Sequence, residues 1–190
     1  MLLFCRLNSI SLFLFLFSFL SPLYANVDKV NVTVKAKFYV PPCKINNENP
    51  ITIDYGNVAL QNVGKSIATG VLKTTSLVVQ CGTGLTGKTF YIHALGDTVT
   101  TNDNNVLKTN GSNSNKLGVA LFQGRGTTVP LIIGSGGTVA KNGYPIKEGL
   151  SSMSTGTGTL DITSVLYQYG SGALVAGDFI ANAKMSITYD

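Results

Sequence analysis

Few residues of this chain are equipped for chemistry. His93 is the single histidine, tryptophan is absent, and the three cysteines are Cys5, Cys43 and Cys81. One imidazole cannot assemble a zinc or copper centre, which needs three or four nitrogen or sulfur ligands. His93 stands in the alternating run Phe90-Tyr91-Ile92-His93-Ala94-Leu95 without a neighbouring acid or cysteine, so a structural or surface role is expected. Asp97 and Asp103, with Asn102, Asn104 and Asn105, offer oxygen ligands. They lack the alternating acids and closing Glu of a calcium loop, and read as solvated turn. The glycine clusters Gly124-Arg125-Gly126 and Gly134-Ser135-Gly136-Gly137 open no helix and so do not cradle a phosphate. No G-x-S-x-G elbow accompanies the serines. The expectation is a protein without catalytic, metal or cofactor site.

The cysteines carry different information. The chain opens with Arg6, then the apolar run 12–20 (LFLFLFSFL), then Ser21-Pro22 and the small residue Ala25. That order is a secretory signal peptide, too short in its apolar core to span a bilayer. Cleavage after Ala25 removes Cys5 and Arg6, lowers the formal charge of +5 by one, and leaves Cys43 and Cys81. In an oxidising compartment these two have one intramolecular pairing available. Two free buried thiols are the alternative, which export disfavours. The pair lacks the C-x-x-C spacing of redox or zinc sites.

The elements that must position these residues read as strands. Beyond residue 26 the recurring pattern is period-two alternation rich in Val, Ile, Thr and aromatics, cut by Gly, Asn, Pro and Ser clusters. Strands are expected at 30–40, 51–55, 72–80, 89–95, 116–123, 129–133, 159–167 and 179–189. The polar, glycine-rich stretches 102–115, 134–142 and 151–158 are expected to connect them. Many short strands without alternating helices indicate an all-β sandwich, and a disulfide between distant strands favours the immunoglobulin-like kind. With 12% charged and 44% hydrophobic residues, the chain is neither disordered nor a concentrated basic binder of nucleic acid.

Two alternating rows are unlike ordinary strands. Val30, Val32, Val34, Ala36, Phe38 and Val40 form one at the start of the mature chain, ended by Pro41-Pro42. It is either a first core strand or an arm for another molecule. Phe179, Ala181, Ala183, Met185, Ile187 and Tyr189 form the other, running to the penultimate residue. A domain ending inside a core-facing strand has no later segment to lie beside it.

These residues resemble the pilin subunits of the chaperone–usher route. The resemblance rests on Cys43-x-Ile45, Ile51-x-Ile53-x-x-Gly56, Leu77-Val78-Val79-Gln80-Cys81, Asn105-Val106-Leu107-Lys108-Thr109, Leu117-Gly118-Val119-Ala120-Leu121 and Gly177-Asp178-Phe179 leading to Tyr189. It spans essentially the whole mature chain. The stretch Tyr39-Val40-Pro41-Pro42-Cys43-Lys44-Ile45-Asn46-Asn47 looks most like the minor tip-adaptor pilins of P-type pili. Many pilins carry Gly where this arm has Ala36.

The resemblance implies an immunoglobulin-like sandwich lacking its last strand, with a signal peptide at 1–25, a donor-strand extension at 26–42 and a pilin domain at 43–190. The row Val30 to Val40 would be the donor strand, and the row Phe179 to Tyr189 the edge that meets chaperone or donor. The implied partners are a periplasmic pilus chaperone, an outer-membrane usher and neighbouring pilins, among them a tip adhesin, in a fimbrium at the cell surface. No nucleic acid or stable membrane anchor is implied. The implied function is a minor tip or adaptor subunit. A rod pilin or terminator of the same route is the alternative. A carbohydrate-binding adhesin fits less well, because the chain leaves no room for a separate lectin domain.

Overall fold

The computed structural model describes residues 33–37, 43–99, 104–134, 136 and 143–190. The chain divides into two units, Met1–Phe38 and Tyr39–Asp190, a boundary a few residues ahead of the expected one at 42. Of the first unit, residues 33–37 carry no regular secondary structure and all are exposed, Val34 to 87%. The signal-peptide stretch 1–25 and Val30, Val32, Phe38 and Val40 lie outside the described residues.

The second unit is built of strands; the described residues contain no α-helix, only three short 3₁₀ turns. The strands are β1 Lys44–Ile45, β2 Val71–Gln80, β3 Phe90–Leu95, β4 Val106–Lys108, β5 Asn110–Gly111 and β6 Leu117–Gln123. They continue with β7 Val129–Pro130, β8 Tyr144–Pro145, β9 Thr157–Gln168, β10 Phe179–Ile180 and β11 Lys184–Tyr189. One sheet runs β1-β2-β9-β6-β4 with β7 beside β6, a second runs β11-β3-β8, and β10 pairs with β5. Every named strand pair is antiparallel.

Period-two alternation explains the core. On β9, Leu160, Ile162 and Leu166 face inward with Leu77 and Val79 of β2 and Leu117, Val119 and Leu121 of β6. They meet Phe90, Ile92 and Ala94 of β3 and Ile187 of β11, the two inner faces of a sandwich. The opposite face of the larger sheet buries a second cluster of Val99, Val106, Ala120, Phe122, Val165 and Tyr167. That is why β6 is buried at every position and reads as a continuous apolar run.

The structure corrects several expectations. Residues 51–55 alternate as a strand but form none, because nothing pairs with them. The run 179–189 is two strands with a gap at 181–183, where the chain passes Gly96 so closely that a Cβ there would lie 2.6 Å from the Asn182 carbonyl. The run 129–133 shortens to β7, since Leu131 and Ile133 bond singly to the Leu121 and Asn104 carbonyls. The supposed connection 102–115 contains β4 and β5, and Thr157 and Gly158 belong to β9. β8 carried no sequence signal: two residues with a proline are too short for a period to show.

Cys43 and Cys81 are joined in a disulfide. It ties the entry of β1 to the exit of β2. Closing a 38-residue separation stabilises by roughly 4 kcal/mol through the unfolded chain in the entropic description. Alkylation of the folded, unreduced protein is expected to modify neither cysteine, read by mass spectrometry; modification of both would contradict the bond.

Candidate functional site

An open groove of about 1240 Å³ lies within the second unit. Its floor is the sandwich core: Leu77, Leu107, Leu117, Leu121, Ile162 and Leu166. One wall is the unpaired stretch 49–63, presenting Ile51, Ile53, Tyr55, Val58, Leu60 and Val63. The other is 174–185, presenting Leu174, Phe179, Ala181, Ala183 and Met185. Core residues of a finished sandwich are covered by strands on both faces. Here the floor residues are buried, yet no strand lies in the groove above them between the two walls.

Each wall is held by hydrogen bonds of its own. On the first, the Lys73 ammonium donates to the Asp54 carbonyl, and the Tyr55 hydroxyl donates to Ser164 Oγ on the floor at 2.7 Å. Ser164 Oγ donates in turn to the Lys73 carbonyl at 3.1 Å. On the second, the buried Asn113 amide both donates to and accepts from the Val175 backbone, at 2.8 and 3.0 Å. Lys116 Nζ donates to the Ala173 carbonyl at 2.7 Å. Gly111, at φ +114°, lets β5 approach this wall; a Cβ there would sit 2.2 Å from the Asp178 carbonyl. These bonds fix both walls with no strand between them.

The row Phe179, Ala181, Ala183, Met185, Ile187 and Tyr189 points inward throughout, with Ile187 fully buried and the rest packed part-buried against the core. The intervening Ile180, Asn182, Lys184 and Ser186 are exposed. β11 pairs along one edge with β3 through six residues. On its other edge Cys43 bridges to Ile187, with the Cys43 amide donating to the Ile187 carbonyl at 2.8 Å. From there the groove opens. Of the sequence-predicted arm, Val34 and Ala36 are exposed and in no strand.

Burial dominates the electrostatics. It pushes the Tyr55 hydroxyl up to about 12, against the pull of its bond to Ser164. Tyr55 therefore remains a neutral donor at any physiological pH. His93 lies part-buried on β3, and no group of three or more His, Cys, Asp or Glu gathers among the described residues. Sequence reasoning missed the whole first wall and the role of Tyr55. The signal available was the alternation Ile51, Ile53, Tyr55, which was read as a paired strand.

The fold is an all-β immunoglobulin-like sandwich with an open sheet edge beside a groove that no strand fills, the class of fold that fimbrial subunits adopt. Residues 29–190 match the family described as Fimbrial protein. The chain belongs to that family and is a structural subunit of a surface fimbrium. It is 37% identical over 161 residues to the fimbrial adapter PapF of Escherichia coli, covering 85% of this chain and 88% of PapF. It is 36% identical to the minor fimbrial protein PrsF of Escherichia coli over the same shares. Among solved structures it is similar to the P pilus adaptor subunit PapF, with 33% identity and a TM-score of 0.50, covering 80% of this chain and 98% of that one. The P pilus rod subunit PapA, at 22% identity and a TM-score of 0.52 with 84% and 100% covered, shares the fold.

Proposed function

We propose that the chain is a minor adaptor subunit that joins two neighbours in a fimbria by strand exchange. Its groove takes an extended segment of the next subunit, and its own row Val30, Val32, Val34, Ala36, Phe38 and Val40 fills the groove of the preceding one. Before assembly a periplasmic chaperone covers the groove, and an outer-membrane usher brings the subunits together. The observation that carries this reading is the groove itself, which runs over the core beside an open sheet edge with no strand laid in it. A strand laid there gains backbone hydrogen bonds along β11 and sets its register by alternate side chains.

The magnitudes agree. Five or six inward side chains at roughly 1.5–3 kcal/mol each give on the order of 10 kcal/mol as an upper estimate. A domain of this size is stable by about 5–15 kcal/mol. The missing strand is worth as much as the remaining fold, and an uncovered edge aggregates. This is the physical reason for a chaperone.

The likeness to PapF and PrsF supports the adaptor position. Immunogold labelling of assembled fibres is expected to mark one site near each distal end. Labelling along the shaft would instead make it a rod subunit, and labelling at the base a terminator.

A further inference from the structure

The two walls touch across the groove. The rings of Tyr55 and Phe179 meet with centroids 6.1 Å apart and planes tilted by 53°. Tyr55 belongs to the first wall and Phe179 to the second, and the Tyr55 hydroxyl is seated on Ser164 in the floor. The contact therefore ties one wall to the other above the floor.

A strand bonded to its neighbours lies about 4.8 Å from each and sends alternate side chains inward. To fill the groove it must pass the point where the walls are joined. Its side chains reach the floor there only if the rings part and the hydroxyl leaves Ser164. Resting on the strand-exchange reading, we propose that Tyr55 is the latch of the groove: its ring contact with Phe179 and its bond to Ser164 set the rate at which a full-length strand inserts. Ser164 retains the Lys73 carbonyl as a partner when the latch opens, so opening strands no polar atom in the floor.

Tyr55→Phe removes the hydroxyl and keeps the ring. A peptide of residues 30–40, whose alternating apolar row stands in for the segment of the next subunit, carries one added tryptophan as the probe, because the chain has no tryptophan of its own. Mixed with the full mature chain in stopped flow, the peptide is expected to insert about five-fold faster into Tyr55→Phe than into the natural sequence. That is the equivalent of one ordinary hydrogen bond of about 1 kcal/mol, at 1.4 kcal/mol per tenfold. The release rate is expected to be unchanged, since the bond is absent from the filled groove. A general loosening of the fold would raise both rates.

Phe179→Leu, which removes the ring contact and keeps an apolar wall, is expected to speed insertion likewise. Tyr91→Phe removes a hydroxyl bonded to Asp190 outside the groove and is expected to change neither rate. Equal insertion rates in all four chains overturn the latch and leave the groove reading standing. Capture of the peptide by none of them overturns the groove reading itself.

Discussion

A chain lacking residues 26–38 is expected to accumulate as a soluble chaperone complex at the level of the intact protein, yet to be missing from fibres. The reason lies in what the sandwich does without. Its core is closed by β2, β6 and β9 on one side and β3 and β11 on the other, and residues 33–37 contribute no strand to it. Val34 is 87% exposed, so removing it uncovers none of the core. Val34→Asp is expected to act like the deletion, because an unpaired carboxylate in an apolar groove costs several kcal/mol. Quantifying the subunit in periplasmic extracts and in sheared fibres separates the two effects. Loss of the soluble complex on truncation would return the segment to the core.

Met185→Glu is expected to abolish capture of any strand while leaving the empty sandwich intact. Met185 is part-buried on the inward row of β11 and lines the groove. In the open groove a carboxylate there still reaches water, so the unliganded chain loses part of the Met185 packing but seals no charge in its core. Once a strand covers the position, that carboxylate is sealed among apolar side chains at several kcal/mol. Against an occupancy worth on the order of 10 kcal/mol as an upper estimate, this lowers binding by orders of magnitude. Co-purification with the chaperone and incorporation into fibres both fall. Capture at the natural level would place the groove elsewhere.

The longer paired strands are legible in the sequence, whereas short strands and segments without a partner are not. β2, β3, β6 and β9 were legible because each alternates or runs apolar for six residues or more between turn residues. The inward row from Phe179 to Tyr189 was legible for the same reason. Residues 51–55 show the limit of that signal. Alternation reports which face is buried, whereas a strand also requires a neighbour to bond with, and here the neighbour is the missing one. β4 and β5 were hidden because Asn105, Thr109 and Asn113 are buried polar residues satisfied by backbone partners: the Leu121 and Leu117 carbonyls and the Val175 peptide. Composition marked that stretch as a loop. The meeting of Tyr55 with Phe179 joins residues far apart in the chain and has no local signature at all.

Hydrogen exchange along the second groove wall tests the central claim most directly. In the isolated chain, those backbone amides of residues 181–186, in the gap before β11 and its first residues, that point into the groove have no strand beside them and are expected to exchange rapidly. In intact fibres the same amides are expected to be protected to the level of β2 and β9, because an incoming strand completes the ladder there. Exchange in fibres as fast as in the isolated chain would contradict the account, since it would mean that assembly leaves the groove empty.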